Sequence, residues 1–374
     1  AITRSRRGAK PTGGNVWGFE MNGTTGSSIT CEAFGQLGGD RVQLYTLKNR
    51  QGWVLGATTY GAAVTQLHVP DRNGRLADVV LGFDDLRGYV EHTEFFGATV
   101  GRVANRIRGG AFELEGRRHE LARTDGPHHL HGGRRGWDKV SWRPEPKETP
   151  RGPSLELHYT SPDGEEGYPG RVEASTTYTL GHDGALTIEM RAFSDAPTIV
   201  NMANHIYWNL AGHGAATALD HELTLDAEFY TPGDPVVPVG ELIRVAGTPF
   251  DFRSPKPIGR DLARVGNEPV GYDHNWVVNG VPGALRPVAR LRHPASGRTL
   301  SLEADAPGVQ FYSGNFLTGD RPGKGGRRYG QHAGVCLETQ AFPNSINVPE
   351  WEGQVVLLPG QQYKHVMVLR FSAD

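Results

Sequence analysis

The chain reads as an all-β protein, a large antiparallel β-sandwich, and three observations carry that reading. Short apolar–polar alternations of period two recur along its 374 residues. Turn formers punctuate it every few positions, with 51 glycines and 25 prolines. No stretch of a dozen residues keeps a helical spacing of apolar positions better than a strand spacing. Period-two alternation buries one face of a strand and leaves the other wet. Many such strands joined by Gly/Pro turns assemble as packed antiparallel sheets.

Taken in order, residues 1–28 are rich in Gly, Ser, Thr and Asn with scattered arginines, and they predict a flexible or loosely packed lead-in. No composition break follows, so 29–374 is expected to form a single domain. Val42-Gln-Leu-Tyr-Thr-Leu47, Ala111-Phe-Glu-Leu-Glu115, Ser154-Leu-Glu-Leu-His-Tyr159 and Leu300-Ser-Leu-Glu303 each alternate. Gly181-His-Asp-Gly184 and Pro294-Ala-Ser-Gly297 predict hairpins, joining 176–180 to 185–191 and 288–292 to 298–303. Near the C-terminus, the apolar run from Val335 to Phe342 reads as a largely buried strand ended by Pro343, with Glu338 in its middle.

Charge and composition exclude several function classes. The formal net charge is −2, without the basic excess of a nucleic-acid-binding surface. No apolar run approaches the ~18 residues that cross a membrane as a helix, so a soluble chain is expected. Two cysteines, Cys31 and Cys336, are too few for a disulfide framework. One bridge between them is open, but Cys336 in an apolar strand reads as a buried thiol. Arg6-Arg7 is followed by Gly8-Ala9-Lys10-Pro11 rather than an apolar region, which speaks against a twin-arginine export signal. A leader already removed leaves no trace, so the compartment stays open between cytoplasmic and extracytoplasmic, as does the choice between monomer and homodimer.

Glu338 is the most informative residue. A carboxylate among Val335, Cys336, Leu337, Ala341 and Phe342 must be paired, hydrogen-bonded or shifted in pKa. It is either half of a structural ion pair or a functional group. Other segments supply polar groups beside apolar ones. In Gly101-Arg-Val-Ala-Asn-Arg-Ile107, Asn105 and Arg106 are adjacent and share a ligand only in a turn. His128-His-Leu-His-Gly-Gly133 has no Cys or second histidine pair to complete a metal site, and its glycines predict a tight turn at His131. Read as one strand, 200–210 puts Asn201, Ala203, His205 and Tyr207 on one face. His205 is either a satisfied core histidine or a candidate general acid. Asp273 and Gln310 offer acceptors and donors, with Trp276, Phe311 and Tyr312 as flat apolar faces; Phe311 and Tyr312 also read as core filling. Directional polar groups beside aromatic planes suit a polyhydroxylated ligand.

These segments resemble the aldose 1-epimerases, or galactose mutarotases, from about Tyr45 to Leu369. The resemblance is carried by Pro70-Asp-Arg-Asn-Gly74 with Asp78-Val-Val-Leu-Gly-Phe83, by Gly101–Ile107, and by Leu130-His-Gly-Gly133 with Gly136-Trp-Asp-Lys139. Asn204-His-Ile-Tyr-Trp-Asn-Leu210, Gly271-Tyr-Asp-His-Asn275, Pro307-Gly-Val-Gln-Phe-Tyr312 and Leu337-Glu-Thr-Gln340 complete it in the family's order. It departs at Met202-Ala203, where family members often carry a Thr, and at Asn344-Ser345, where Asp-Ala is common. The resemblance implies a galactose-mutarotase-like supersandwich that interconverts α and β anomers of free glucose or galactose without metal or other cofactor. It implies Glu338 as catalytic base and His205 as catalytic acid. Asn105, Arg106, His131, Tyr207, Asp273 and Gln310 fall on its sugar-binding positions. A bell-shaped pH–rate profile is expected, with the acidic limb from Glu338 and the alkaline limb from His205. Three other readings compete: a glycoside hydrolase using Glu338 and Asp273, an epimerase of hexose 6-phosphates held by Arg134 and Arg135, and a carbohydrate-binding sandwich without turnover.

Overall fold

The computed structural model describes residues 18–23, 26–233 and 237–374. Alternation becomes strand where expected: Asp40–Lys48, Ala111–Leu114, Gly152–Ser161 and Arg298–Ala304. The hairpin at 181–184 joins Val172–Leu180 to Ala185–Ser194, and that at 294–297 joins Arg286–Arg292 to Arg298–Ala304. Among the described residues the one α-helix is Leu86–Glu91, a six-residue turn whose N-cap Asp85 accepts the Gly88 N–H at 3.0 Å.

Three large antiparallel sheets hold the molecule together. The first runs in chain order from Phe19–Asn22 through Ser28–Leu37, Asp40–Lys48, Val54–Thr58 and Val64–Pro70 to Leu76–Asp78. A nine-stranded sheet has Tyr363–Ala373 in its middle, between Ala185–Ser194 and Arg298–Ala304. The third runs Tyr207–Trp208, Val335–Gln340, Gly308–Tyr312, Asp273–Val278, Ala227–Thr231, Ile243–Arg244. Their inner faces meet in one cluster that includes Leu47, Leu55 and Leu67, Leu157, Ile188 and Met190, and Trp208, Trp276 and Phe311. Each such side chain contributes about 1.5–3 kcal/mol when fully buried. The third sheet packs on that core.

Several expectations need correction. The lead-in is not loose throughout, because Phe19–Asn22 pairs with residues 28–31 of the next strand; residues 1–17 lie outside those described. Segment 200–210 is not one strand. Ala203–Asn204 pairs with Thr99–Val100, then Tyr207–Trp208 crosses to Val335–Gln340. The crossing is held at His205, whose N–H donates to the Ala98 carbonyl while its own carbonyl accepts from Gly97. Asn201 consequently leaves the common face, and its side-chain oxygen accepts the Ala341 N–H at 2.9 Å. Trp276 is fully buried in the core with its indole N–H on the Phe250 carbonyl, so it offers no face to a ligand. Cys31 and Cys336 are both buried free thiols.

Candidate active site

The third sheet lays out polar groups in rows across its strands. Tyr207 stands opposite Cys336, Cys336 opposite Tyr312, and Tyr312 opposite Asp273. In the neighbouring row Glu338 stands opposite Gln310. Alternation puts Cys336 and Glu338 on one face of their strand. Against that face stand two turns that only unusual backbones allow. Asn105 and His131 both adopt positive φ, 61° and 49°. They bond reciprocally: the Asn105 N–H donates to His131 Nδ1, and the His131 N–H to the Asn105 carbonyl, each at 3.1 Å. The bend at Asn105 turns Arg106 toward the same space, as adjacency required.

Asn105, Arg106, His131, His205, Tyr207, Asp273, Gln310 and Glu338 all line one cavity of about 440 Å³. His205 Nε2 lies 3.7 Å from Glu338 Oε1, with both side chains almost wholly buried. The Arg106 guanidinium lies between two carboxylates, Asp125 at 2.6 Å and Asp273 at 3.6 Å. Gln310 donates to Asp273 at 2.7 Å. Glu338 Oε2 and Gln310 Oε1 have no partner among the described residues, which leaves buried hydrogen-bonding capacity unspent. Arg134 and Arg135 are exposed and outside the lining of this cavity.

The aldose 1-epimerase family model matches residues 43–370. The chain belongs to this family. It is 44% identical to the galactose mutarotase of Bos taurus over 348 residues, covering 92% of this chain and 99% of that one. Identity to the aldose 1-epimerase of Haemophilus influenzae is 36%, covering 86% and 94%. The solved galactose 1-epimerase of Lactobacillus acidophilus superposes with a TM-score of 0.80 at 29% identity, covering 92% and 98%. The protein is an aldose 1-epimerase, an isomerase that interconverts the anomers of aldoses.

Within the epimerase, burial inverts the order of the two titrations. Desolvation pushes the Glu338 carboxyl well above the usual range, with Asp273 adding to the rise and Arg106 opposing it. Desolvation brings His205 down to about 4. In an acid–base reaction run by this pair, the acidic limb of a pH profile would belong chiefly to His205 and the alkaline limb to Glu338, the reverse of the order of the free side chains. A carboxylate so raised is a stronger base, and an imidazolium so lowered a stronger acid.

One further grouping is metal-like in spacing. Ligand atoms of His131, His205 and Glu338 lie within 4.8 Å of one another. His131 does not suit the role. Its Nδ1 already accepts the Asn105 N–H, so the neutral ring carries its proton on Nε2. Burial keeps that ring neutral, holding its pKa well below the ordinary value. It faces the cavity as a hydrogen-bond donor.

Sequence reasoning missed Phe95 and Asp125, and it read Tyr312 as core filling more readily than as site. Phe95, at φ 58°, lines the epimerase's cavity with its ring 4.7 Å from His131 and 5.6 Å from His205. No local signal separates it from Phe96, which packs into the core. Tyr312 also lines the cavity, whereas Phe311 is fully buried on the opposite side of the same strand.

Proposed function

We propose that Glu338 is the base and His205 the acid of anomer interconversion in this cavity. The reading is supported above all by the approach of His205 Nε2 to Glu338 Oε1 at 3.7 Å. The hydroxyl to be deprotonated and the ring oxygen to be protonated are bonded to one carbon, so acid and base must converge on neighbouring atoms. Glu338 takes the proton of the C1 hydroxyl as the bond from C1 to the ring oxygen breaks, and His205 delivers a proton to that oxygen. The aldehyde so formed rotates about C1–C2. Reclosure runs the two transfers in reverse and restores both side chains. Each positioned group typically contributes about 10²–10⁴-fold.

Asn105, Arg106, His131, Asp273 and Gln310 hold the remaining hydroxyls, and the Tyr207 ring supports His205, their centroids 5.1 Å apart. Holding the open chain in place is catalysis by positioning. A hydrolase would need Asp273 as its second free carboxylate, but Gln310 and Arg106 already engage it.

Polarimetry of freshly dissolved α-D-galactose tests the assignment. Glu338→Gln keeps the shape of the side chain but cannot take a proton. Its turnover is expected to fall at least about a hundredfold while sugar binding by calorimetry persists. Retention of more than about a tenth of the wild-type rate contradicts the assignment.

A further inference from the structure

His205 is held from several sides. Phe95 and Tyr207 stack on its ring at 5.6 and 5.1 Å, each tilted by 26°. Nε2 looks toward Glu338, and Nδ1 lies 3.5 Å from the sulfur of Cys336. A histidine that moves protons is usually oriented at its other nitrogen by a carboxylate or a backbone carbonyl. Here, among the described residues, Glu338 is the only carboxylate within ion-pair distance of the ring, and it faces Nε2. At Nδ1 the thiol shares the orienting position with the histidine's own backbone carbonyl. Cys336 is completely buried, stands opposite Tyr207 in register, and shares a strand face with Glu338.

We propose that Cys336 is a positioning residue: its sulfur accepts the Nδ1–H of His205 and fixes the tautomer whose Nε2 exchanges the proton. The proposal deepens the acid–base reading above and rests on it. Sulfur is a weak acceptor, so it orients the ring without supplying the negative charge that would favour imidazolium. Protonated His205 thus stays a strong acid. The titratable or charged groups that face His205 are Glu338, His131, Asp273, Tyr207 and Cys336. The thiol's own ionisation plays no part, since burial holds it well above its ordinary range.

Nitrogen-15 NMR of the sugar-free wild-type protein near neutral pH reads the tautomer directly, the His205 signals being identified by their loss in His205→Asn. Protonated Nδ1 with unprotonated Nε2 is expected; the opposite tautomer overturns the proposal. Cys336→Ala should lower kcat about tenfold with KM within about twofold, and should mix the tautomers. Cys336→Ser, which restores an acceptor of nearly the same size, should recover most of kcat. Its stronger acceptor should also move the acidic limb of kcat/KM to higher pH. Wild-type kcat and an unchanged tautomer in Cys336→Ala sink the proposal, as does equal loss in both variants. Should the alanine variant not fold, the wild-type spectrum and the serine variant still decide. Failure of the base assignment would show separately, as turnover retained by Glu338→Gln.

Discussion

Removing the charge of Asp273 changes the field at Glu338 and His205, because that carboxylate raises the pKa of both. Losing a nearby negative charge makes each protonated form easier to ionise, so both values fall. Asp273→Asn should move both limbs of the kcat/KM–pH profile to lower pH, beyond any loss of affinity. Limbs that stay in place, or move apart, would show that the two titrations belong to other groups. At this scale the sequence is informative about Glu338, since a carboxylate in an apolar run stands out against the cost of burying it. It is silent about Phe95 and Asp125. Their roles come from a left-handed backbone and from a partner distant in sequence, and neither leaves a local mark.

Turns position this site as much as strands do. Gly132 has φ 85°, and a Cβ there would lie 1.8 Å from the Gly101 carbonyl oxygen. Gly132→Ala therefore has to push apart the turn carrying His131 and the loop leading to Asn105 and Arg106. The expected result is a large rise in KM for galactose, measured by polarimetry, together with a lower melting temperature. Unchanged kinetics would mean that the turn has more room than the structure gives it. The glycines of this motif predict the turn, and the apolar run at 335–342 predicts its strand. The breaking of 200–210 was not legible. Its cause is a set of backbone bonds from His205 to Gly97 and Ala98, residues about a hundred positions away.

For the molecule as a whole, the fold class follows from period-two alternation and turn residues, because those properties are local. Sheet order is not local. Tyr363–Ala373 closes the nine-stranded sheet by pairing with Ala185–Ser194 on one side and Arg298–Ala304 on the other. Deleting 363–374 removes a central strand, exposes two long unpaired edges and opens the core at Met367, Leu369 and Phe371. The truncated chain should aggregate or lack a cooperative melt by circular dichroism; a folded, active product would refute this account of the core. The third sheet, where His205 and Glu338 converge, packs on the same core.

That convergence is tested most directly by a crystal structure of Glu338→Gln with D-galactose bound. The anomeric hydroxyl should lie within hydrogen-bond reach of the carboxamide at position 338, and the ring oxygen within reach of His205 Nε2. A sugar seated with its anomeric carbon away from both side chains would contradict the proposed chemistry.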